Sequence, residues 1–462
     1  MGKLFGTDGV RGIVNKELTP ELALKLGISI GTFFGEYSRI LIGRDARAGG
    51  EMLMHSLIAG LLSAGVKVFI AYPNGYAPTP AIQYAVKELG YDGGVIITAS
   101  HNPPNYNGIK VVNAIGIELD RESERTIEEI YFSEKFHRAK WSNVAHDTVT
   151  EHRVIDSYLK SIIEHVDKQI IKSREFRVLV DCANSVSSLT TPTLLRQLGV
   201  KPLTVGCDIS PYPYREPEPT PSTLSHSALT VKQLNLDLGV GHDGDADRAI
   251  FIDENGEIWW GDRTGSVLSS YIAEKKLTEL PRRVYTAVSS SKLVVDYLSH
   301  FNIEVAWTPV GSIYISYNLL ERGGIAGFEE NGGFIYPPHL LARDGAMTTA
   351  LLLELLAVEK KKPSQLFSQL PRMHSVKTKV PMSKEVSRKV VKKLTEKYLD
   401  TPYRVVTIDG LRVEAEDFWF LVRPSGTEPV LRIMVEAYSR EKAKKLANNL
   451  IEEVRRMIGN EA

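Results

Sequence analysis

Short apolar runs that are typical of β-strands alternate with helix-like stretches through about residue 370 of this 462-residue chain. The strand-like runs include 40–42, 67–71, 95–98, 178–180 and 284–288. Residues 53–64 and 347–358 have the apolar spacing of helices that cross between strands. Such alternation favours parallel sheets covered by helices. The chain is also too long for one hydrophobic core, so we expect three or four domains.

Changes in composition indicate where these domains divide. A polar, irregular stretch near 140–155 marks one boundary, and an Asp-Glu-Asn-Gly hairpin turn at 253–256 precedes a second. Near 371–380 a strand of alternating polarity indicates an antiparallel last domain, which closes with an amphipathic helix over about 439–458. We therefore expect domains at 1–150, 151–256, 257–372 and 373–462.

The composition is that of a soluble globular protein, with 43% hydrophobic and 24% charged residues. The 56 basic residues equal the 56 acidic ones, so nothing favours nucleic acid or a membrane surface as partner. We see no secretory signal and no apolar run long enough to span a bilayer. Two cysteines, Cys182 and Cys207, predict no disulfide framework and a reducing cytoplasm, with Cys182 as a core thiol. Nothing in the sequence indicates an oligomeric state.

One segment limits the possible chemistry of the chain more than any other. It consists of residues 98–110, Thr-Ala-Ser-His-Asn-Pro-Pro-Asn-Tyr-Asn-Gly-Ile-Lys. They follow a predicted buried strand, and open α/β sheets place their active sites at the C-terminal ends of parallel strands. We interpret Ser100 as a nucleophile or phosphoryl carrier on an exposed loop. His101 and Lys110 are candidates to move protons or to offset negative charge. A plain turn explains the stiff Asn-Pro-Pro poorly.

Three carboxylates, Asp243, Asp245 and Asp247, lie at alternate positions between two apolar runs. Such hard oxygen ligands suit Mg²⁺. An EF-hand is excluded because Arg248 stands where that loop requires glycine. A dinucleotide-binding fingerprint is excluded because a strand, not a helix, follows the glycines. A solvated acidic turn remains the alternative.

A third polar loop, Arg-Pro-Ser-Gly-Thr-Glu-Pro at 423–429, has the composition of a phosphate cradle. Arg423 offers a bidentate guanidinium, and Ser425 and Thr427 offer hydroxyls. Gly426 allows backbone N–H groups to turn inward around an anion, and Arg432 could add positive charge. A serine loop, a metal loop and a phosphate cradle together indicate phosphoryl transfer on a phosphorylated small molecule.

These loops also resemble those of a known superfamily, the α-D-phosphohexomutases, which includes phosphoglucomutase, phosphomannomutase and phosphoglucosamine mutase. The similar segments are 5–12 (FGTDGVRG), 43–47 (GRDAR), the serine loop, 216–221 (EPEPTP), the aspartate loop, 327–332 (GFEENG) and the Arg423 loop. They occur in order and nearly from end to end. The resemblance implies three related α/β domains with mixed or parallel sheets and a smaller α+β C-terminal domain around a central cleft.

The resemblance implies an isomerase that interconverts hexose 1-phosphate and 6-phosphate, with glucose and mannose phosphates as the first expectation. Ser100 would be phosphorylated in the active enzyme. A hexose 1,6-bisphosphate would be the intermediate and activator. Mg²⁺ would be bound by Asp243, Asp245, Asp247 and an oxygen on Ser100. Small-molecule sugar phosphates are thus the expected partners.

Further residues take roles only through this resemblance. His101, Lys110 and Arg11 would share acid–base and charge-balancing work near Arg248, and the identity of the general base stays open. The sugar would contact Glu329, Asn331 and the loop that holds Thr308 and Gly311. The phosphate that is not reacting would be held by Arg423, Ser425, Gly426, Thr427 and Arg432.

Three positions depart from the family pattern. Ser185 replaces a frequent glycine, Ser312 follows Gly311 at a variable position, and Gly333 stands where many bacterial members have histidine. The last difference removes a proton-handling group and shifts its work to His101 and Lys110. Substrate choice therefore stays open, with phosphoglucosamine mutase or an enzyme of broad specificity as the alternative.

Two other classes of function fit the sequence less well. A non-catalytic relative that binds sugar phosphates would be expected to lack one of the three loops, and all are present. A serine hydrolase would pair Ser100 with His101. Adjacent residues rarely form such a pair, and no G-x-S-x-G elbow surrounds the serine.

Overall fold

A computed structural model describes residues 4–6, 9–144, 147–276, 279–425 and 429–459. The chain divides into two compact units. Unit 1 comprises Met1–Thr264 and Asn331–Phe367, and unit 2 comprises Gly265–Glu330 and Ser368–Ala462.

The first sheet of unit 1 is mixed. Its strands are β1 (Val10–Ile13), β2 (Arg39–Arg44), β3 (Lys67–Ala71), β4 (Gly93–Ile97), β5 (Tyr106–Asn113) and β6 (Val149–Glu151). They run in the order β1-β5-β4-β2-β3-β6. Strands β4, β2, β3 and β6 pair in parallel, and β5 is antiparallel to both of its neighbours, β4 and β1. The helices are α1 (Pro20–Phe34), α2 (Gly50–Ser63), α3 (Thr79–Glu88) and α4 (Arg121–Ser133). The predicted crossover helix at 53–64 is thus confirmed as α2.

The second sheet of unit 1 has the order β11-β10-β9-β7-β8. Its strands are β7 (Arg177–Asp181), β8 (Lys201–Val205), β9 (Leu238–His242), β10 (Ala249–Ile252) and β11 (Ile258–Trp259). The helices of this region are α5 (Val154–Glu164), α6 (Lys168–Lys172), α7 (Thr191–Gln197) and α8 (Ser225–Gln233). The predicted hairpin is confirmed, because Ile252 pairs with Ile258 across the 253–256 turn.

Unit 2 begins with a small parallel sheet. Its elements are α9 (Gly261–Lys275, which starts in unit 1), β12 (Arg283–Ala287), α10 (Leu293–Leu298), β13 (Glu304–Thr308), α11 (Ser312–Arg322) and β14 (Ala326–Phe328). Strand β12 lies between β13 and β14. The chain then re-enters unit 1 with β15 (Phe334–Ile335), α12 (Gly345–Glu359) and α13 (Pro363–Phe367). Helix α12 is apolar on almost every side and correspondingly buried.

The C-terminal part of unit 2 is a separate antiparallel sheet, as predicted. Its elements are β16 (His374–Pro381), α14 (Lys384–Leu399), β17 (Arg404–Val406), β18 (Leu411–Glu414), β19 (Phe418–Pro424), β20 (Val430–Ala437) and α15 (Arg440–Gly459). The order is β16-β20-β19-β18-β17. Helices α14 and α15 contribute Val390, Leu394, Leu450 and Val454 to its core. The mixed α/β sheets and this separate sheet confirm the predicted fold class.

Arg412 of β18 joins the two sheets of unit 2. Its guanidinium is fully buried and lies 4.0 Å from the ring centroids of both Trp307 and Trp419. It donates to the carbonyl oxygens of Val288 and Ser290 at 2.7 and 2.6 Å. A buried guanidinium that is both stacked and hydrogen-bonded fixes its neighbours in one geometry. The antiparallel sheet is therefore tied firmly to the parallel one.

The expectation for the cysteines was wrong. Cys182 and Cys207 form a disulfide, with Cα atoms 4.9 Å apart. The cause lies in the register of two neighbouring parallel strands. Asp181 at the end of β7 pairs with Val205 at the end of β8, so the cysteines that follow emerge side by side.

No helix in the described part of the chain is long and apolar enough to cross a membrane.

Candidate active site

Ser100 lies just beyond the end of β4, at the C-terminal edge of the first sheet. Its φ of 50° is left-handed, and the Oγ of Thr98 accepts a hydrogen bond from its N–H at 2.8 Å. Its hydroxyl donates to Oδ2 of Asp243 at 2.7 Å. The predicted exposure of Ser100 was wrong, because the residue is fully buried. The serine loop folds back onto the aspartate loop, and this contact covers the hydroxyl.

Arg47, which we had not assigned a role, shapes the serine loop from behind. Its guanidinium donates to the carbonyl oxygens of Ser100, Asn102, Pro103 and Tyr106 at 2.6 to 3.0 Å. Four carbonyl acceptors around one planar group hold the loop in a single conformation. The segment 43–47 had signalled this residue only as part of the family resemblance.

The three carboxylates of the aspartate loop lie together between β9 and β10. Asp243, Asp245 and Asp247 are buried, with ligand atoms within 4.8 Å of one another. Thr79 donates to Oδ2 of Asp245 at 2.7 Å. The Oδ1 atoms of Asp245 and Asp247 are buried without a hydrogen-bond partner among the described residues. Unpartnered carboxylate oxygens in such a cluster are what a hard divalent cation requires, so the loop could hold a metal ion.

Burial disfavours the ionised forms of these three carboxylates. Burial raises the pKa of Asp243 well above its usual range, and the adjacent carboxylates of Asp247 and Asp245 add to this. Burial also raises the pKa of Asp247. For Asp245 burial acts in the same direction, but Lys110 and hydrogen bonds outweigh it and lower the pKa. A bound cation would relieve this crowding.

Two predicted cations do reach the cluster. Lys110, on β5, is almost completely buried, with Nζ 3.5 Å from Asp245 and 3.8 Å from Asp247. Arg248 lies with Nε 3.8 Å from Asp243 and 3.9 Å from Asp247. The burial of Lys110 among carboxylates distinguishes it from an ordinary surface lysine.

His101 also lies in this cluster. Its Nδ1 is 2.9 Å from Nη2 of Arg248 and 3.3 Å from Oγ of Ser100. Because a guanidinium can only donate, that nitrogen accepts and carries no proton. Asp243 is the closer acceptor for the serine proton. Arg11 reaches the same loop through a hydrogen bond to the side chain of Asn102.

Two residues that support the aspartate loop were missed or misjudged. Arg343, between β15 and α12, donates to Oδ2 of Asp247 at 2.6 Å. Ser185, a departure from the family pattern, donates its hydroxyl to the carbonyl of Gly244 inside the loop. Asp344, which follows Arg343, caps α12 by accepting from Met347 N at 2.9 Å.

In unit 2 the phosphate loop begins with Arg423 at the end of β19. Its Nη2 lies 3.0 Å from Oδ2 of Asp409, and its buried Nε has no partner among the described residues. The same Asp409 oxygen accepts from Val310 N at 3.1 Å. Asp409 therefore links the Arg423 loop to the loop that holds Thr308 and Gly311. A carboxylate at 409 was not predicted.

The other predicted substrate-binding residues are placed as follows. Ser425 is buried, and its N–H donates to Val430 O at 2.9 Å. Arg432 lies exposed on β20, directly opposite Arg423. Gly426 and Thr427 lie outside the described residues. In segment 327–332, which was predicted to contact the sugar, Glu329 is buried in unit 2. Asn331 lies in unit 1, where its Oδ1 accepts a hydrogen bond from Gly333 N at 3.1 Å.

Four stretches of the chain match descriptions of phosphoglucomutase/phosphomannomutase domains. Residues 2–138, 156–256 and 260–374 match alpha/beta/alpha domains I, II and III, in that order. Residues 376–453 match the C-terminal domain.

Whole proteins give the same picture. The chain is 54% identical over 460 residues to a phosphoglucosamine/phosphogalactosamine mutase from Sulfurisphaera tokodaii, covering 99% of each chain. It is 44% identical to a phosphoglucomutase/phosphomannomutase from Thermococcus kodakarensis, covering 98% of this chain and 99% of the relative. A solved phosphoglucomutase/phosphomannomutase family protein from Burkholderia thailandensis aligns with a TM-score of 0.85 at 25% identity, covering 98% and 97%.

Proposed function

The chain belongs to the phosphoglucomutase/phosphomannomutase family and is a phosphomutase, and on that premise we propose that Ser100 carries the phosphoryl group between the 1- and 6-hydroxyls of a hexose phosphate. One phosphoserine can serve both hydroxyls if the bisphosphate intermediate reverses its orientation in the site between the two transfers. In the first transfer the bond from phosphorus to Ser100 Oγ breaks as a bond to the sugar oxygen forms. In the second, the other phosphate returns to Ser100.

The observation that carries this proposal is the burial of the serine hydroxyl among paired charges. Ser100 Oγ donates to Asp243, and Lys110, Arg248 and His101 lie around the same cluster. Phosphoryl transfer asks little of the protein beyond positioning and charge stabilisation. A buried hydroxyl fixed beside three cationic or basic side chains meets both needs.

The aspartate loop fits Mg²⁺. Asp243, Asp245 and Asp247 supply the carboxylates, and the Oδ1 atoms of Asp245 and Asp247, which have no hydrogen-bond partner in the described part of the chain, are the oxygens left for a cation. When bound, such an ion offsets the negative charge of a transferring phosphoryl group. Thr79 and Arg343 hold the Oδ2 atoms of Asp245 and Asp247, so two carboxylates are oriented before any ion arrives.

Proton transfer needs a group beside the attacking sugar hydroxyl. His101 Nδ1 is committed to Arg248 and Ser100, and Lys110 Nζ lies among carboxylates. In the resting protein Asp243 accepts a hydrogen bond from the serine hydroxyl. We therefore assign Lys110 and Arg248 to charge balance and leave His101 and Asp243 as the competing proton acceptors.

The Arg423 loop is the proposed site for the phosphate that is not reacting. The buried Nε of Arg423 is a donor without a partner in the described part of the chain. A phosphate oxygen would satisfy it and restore the hydrogen bond that burial otherwise denies. Arg432 on the neighbouring strand adds positive charge on the same face.

The proposed substrates are hexosamine phosphates first, with glucose and mannose phosphates also accepted. The 54% identical relative is named for glucosamine and galactosamine phosphates, whereas the 44% identical relative is named for glucose and mannose phosphates. This order revises the first expectation from sequence, which placed glucose and mannose ahead. The predicted sugar-binding segment also carries the buried carboxylate of Glu329, a group that suits a substrate ammonium, whereas the adjacent Glu330 is paired with Lys377 at 2.8 Å.

One panel tests the function. Purified protein with Mg²⁺ and a trace of hexose 1,6-bisphosphate should interconvert the 1- and 6-phosphates of glucosamine, glucose and mannose, and glucosamine should give the highest kcat/KM. Ser100→Ala should abolish turnover with every substrate. Normal turnover by Ser100→Ala would overturn the covalent route. A preference for glucose or mannose would overturn only the order of substrates.

A further inference from the structure

Arg343 contacts the aspartate loop although it lies 96 residues away from Asp247 in the chain. Its Nη2 is 2.6 Å from Oδ2 of Asp247. The other cations near that carboxylate are farther, with Lys110 at 3.8 Å and Arg248 at 3.9 Å. Both partners of the short pair are almost fully buried. Arg343 is therefore the cation that acts most directly on Asp247.

Gly333 provides the space in which Arg343 lies. A Cβ built at residue 333 would come within 2.3 Å of Cδ and 2.9 Å of Cγ of Arg343. The backbone at Gly333 is not left-handed, so nothing else in its own conformation demands glycine. Any residue larger than glycine at position 333 would therefore clash with Arg343 where it now lies.

The contact with Arg343 gives the two carboxylate oxygens of Asp247 different surroundings. Oδ2 is held by Arg343, whereas Oδ1 is buried and has no hydrogen-bond partner in the described residues. A carboxylate fixed in this way cannot rotate to exchange its oxygens without breaking a buried ion pair. Residues that orient a ligand from behind fix the geometry in which it meets the metal.

We propose that Arg343 is a positioning residue and fixed counter-ion of the metal site, seated in the space left by Gly333 and directing Oδ1 of Asp247 toward the cation. This role rests on the proposed metal site at the three aspartates. It assigns two effects of opposite sign to one side chain. The guanidinium repels the incoming cation, which weakens binding, and it orients Asp247, which favours turnover.

The decisive variant is Arg343→Met, which keeps the length of the side chain and removes its charge. Isothermal titration of the full chain with Mg²⁺ should show binding about tenfold tighter than in the wild type, since a nearby positive charge has been removed. At saturating Mg²⁺, kcat should nonetheless fall. Arg343→Lys, which keeps the charge, should return both quantities toward the wild type. Unchanged or weaker Mg²⁺ binding by Arg343→Met would overturn the proposal.

Gly333 supplies an independent test that leaves Arg343 in the sequence. Arg343→Ala, which also removes the guanidinium, should show the same tighter Mg²⁺ binding and lower kcat as Arg343→Met. Gly333→Ala should displace the guanidinium and reproduce both effects. The double variant should be no worse than Arg343→Ala, because removal of the arginine side chain makes room for the new methyl group. Additive losses, or a Gly333→Ala enzyme identical to wild type, would contradict the shared-space account. This test stands even if Arg343→Met folds poorly.

Asp245→Asn separates this proposal from the metal site on which it rests. If Asp245→Asn binds Mg²⁺ as the wild type does, the metal site is misplaced and the counter-ion role falls with it. If Asp245→Asn loses Mg²⁺ binding while Arg343→Met leaves the affinity unchanged, the metal site stands and only the role of Arg343 is overturned.

Discussion

The two compact units hold their functional charges in opposite ways. In unit 1 the aspartate loop, Lys110 and Arg248 are buried and paired with one another within the unit. In unit 2 the Arg423 side chain is 18% exposed, and among the described residues it has one carboxylate partner and a buried Nε donor that makes no hydrogen bond. A preorganised, mutually paired cluster suits chemistry, because little rearranges during the reaction. An arginine with an unused donor suits a ligand that must bind and leave.

The framework of unit 2 is nevertheless rigid. Arg412 is buried between Trp307 and Trp419 and joins its two sheets. The open donor of Arg423 is thus presented by a firm scaffold. Variants in unit 1 should therefore act mainly on kcat, and variants of the Arg423 loop mainly on KM.

The largest effect that tests this comparison is expected from Asp245→Ala in unit 1. It leaves the remaining carboxylates crowded at a site that binds its cation poorly. kcat should fall about 100-fold or more if the metal supplies several kcal/mol to the transition state. Activity should also vanish in excess chelator and return with Mg²⁺. Steady-state kinetics at saturating substrate will measure the loss. Full activity in chelator would refute the metal assignment.

Arg423→Ala should give the next largest effect, and it should appear in kcat/KM. A buried charge-assisted hydrogen bond to phosphate is worth roughly 1.5–3 kcal/mol, so kcat/KM should fall about 10- to 100-fold. The loss should be equal for 1-phosphate and 6-phosphate substrates, because the loop would hold whichever phosphate is not reacting. Kinetics in both directions will measure it. A defect in one direction only would mean that the loop serves a single orientation of substrate.

Asp409→Asn should strengthen substrate binding, the opposite of the effect expected from Arg423→Ala. Its carboxylate competes with substrate phosphate for Arg423, and the amide keeps an oxygen for the Val310 N–H. The KM should fall about three- to tenfold, the range for a partly buried ion pair near 1 kcal/mol, and kcat should fall slightly as the monophosphate product leaves more slowly. A raised KM would instead show that Asp409 mainly orients Arg423.

The smallest effect on activity is expected from Cys207→Ser. The disulfide to Cys182 spans 25 residues of unit 1, and its loss should cost on the order of 3 kcal/mol by loop-closure entropy. The melting temperature should fall while kcat and KM near room temperature stay close to the wild type. Calorimetry beside an activity assay checks both. A large loss of kcat would show that the disulfide also positions the aspartate loop.

The sequence predicted the elements and the loops well, because both depend on local patterns. The strand at 374–381 and the closing helix at 440–459 agree with the predictions to within a few residues. Arg47, Arg343 and Asp409 were missed. Each acts through contacts with residues distant in sequence, such as the 96-residue separation of Arg343 from Asp247. No sequence pattern around any of these three residues predicts such a contact.

The disulfide could not be predicted from the sequence, for a related reason. Cys182 and Cys207 meet only because β7 and β8 are neighbouring parallel strands in one register, and strand order cannot be read from two isolated cysteines. The burial of Ser100 was likewise set by the aspartate loop, 143 residues away. Loop residues can be named from sequence, whereas their partners follow from topology.

The most direct test of the account is transfer of the phosphoryl group from Ser100 to a sugar. Protein incubated with hexose 1,6-bisphosphate and freed of ligand should carry one phosphoryl group on the peptide that contains Ser100, as seen by mass spectrometry. Addition of glucosamine 6-phosphate should remove that group from the protein and yield the 1,6-bisphosphate, and Ser100→Ala should never acquire it. A phosphoryl group that stays on the protein, or appears only as inorganic phosphate, would contradict the account.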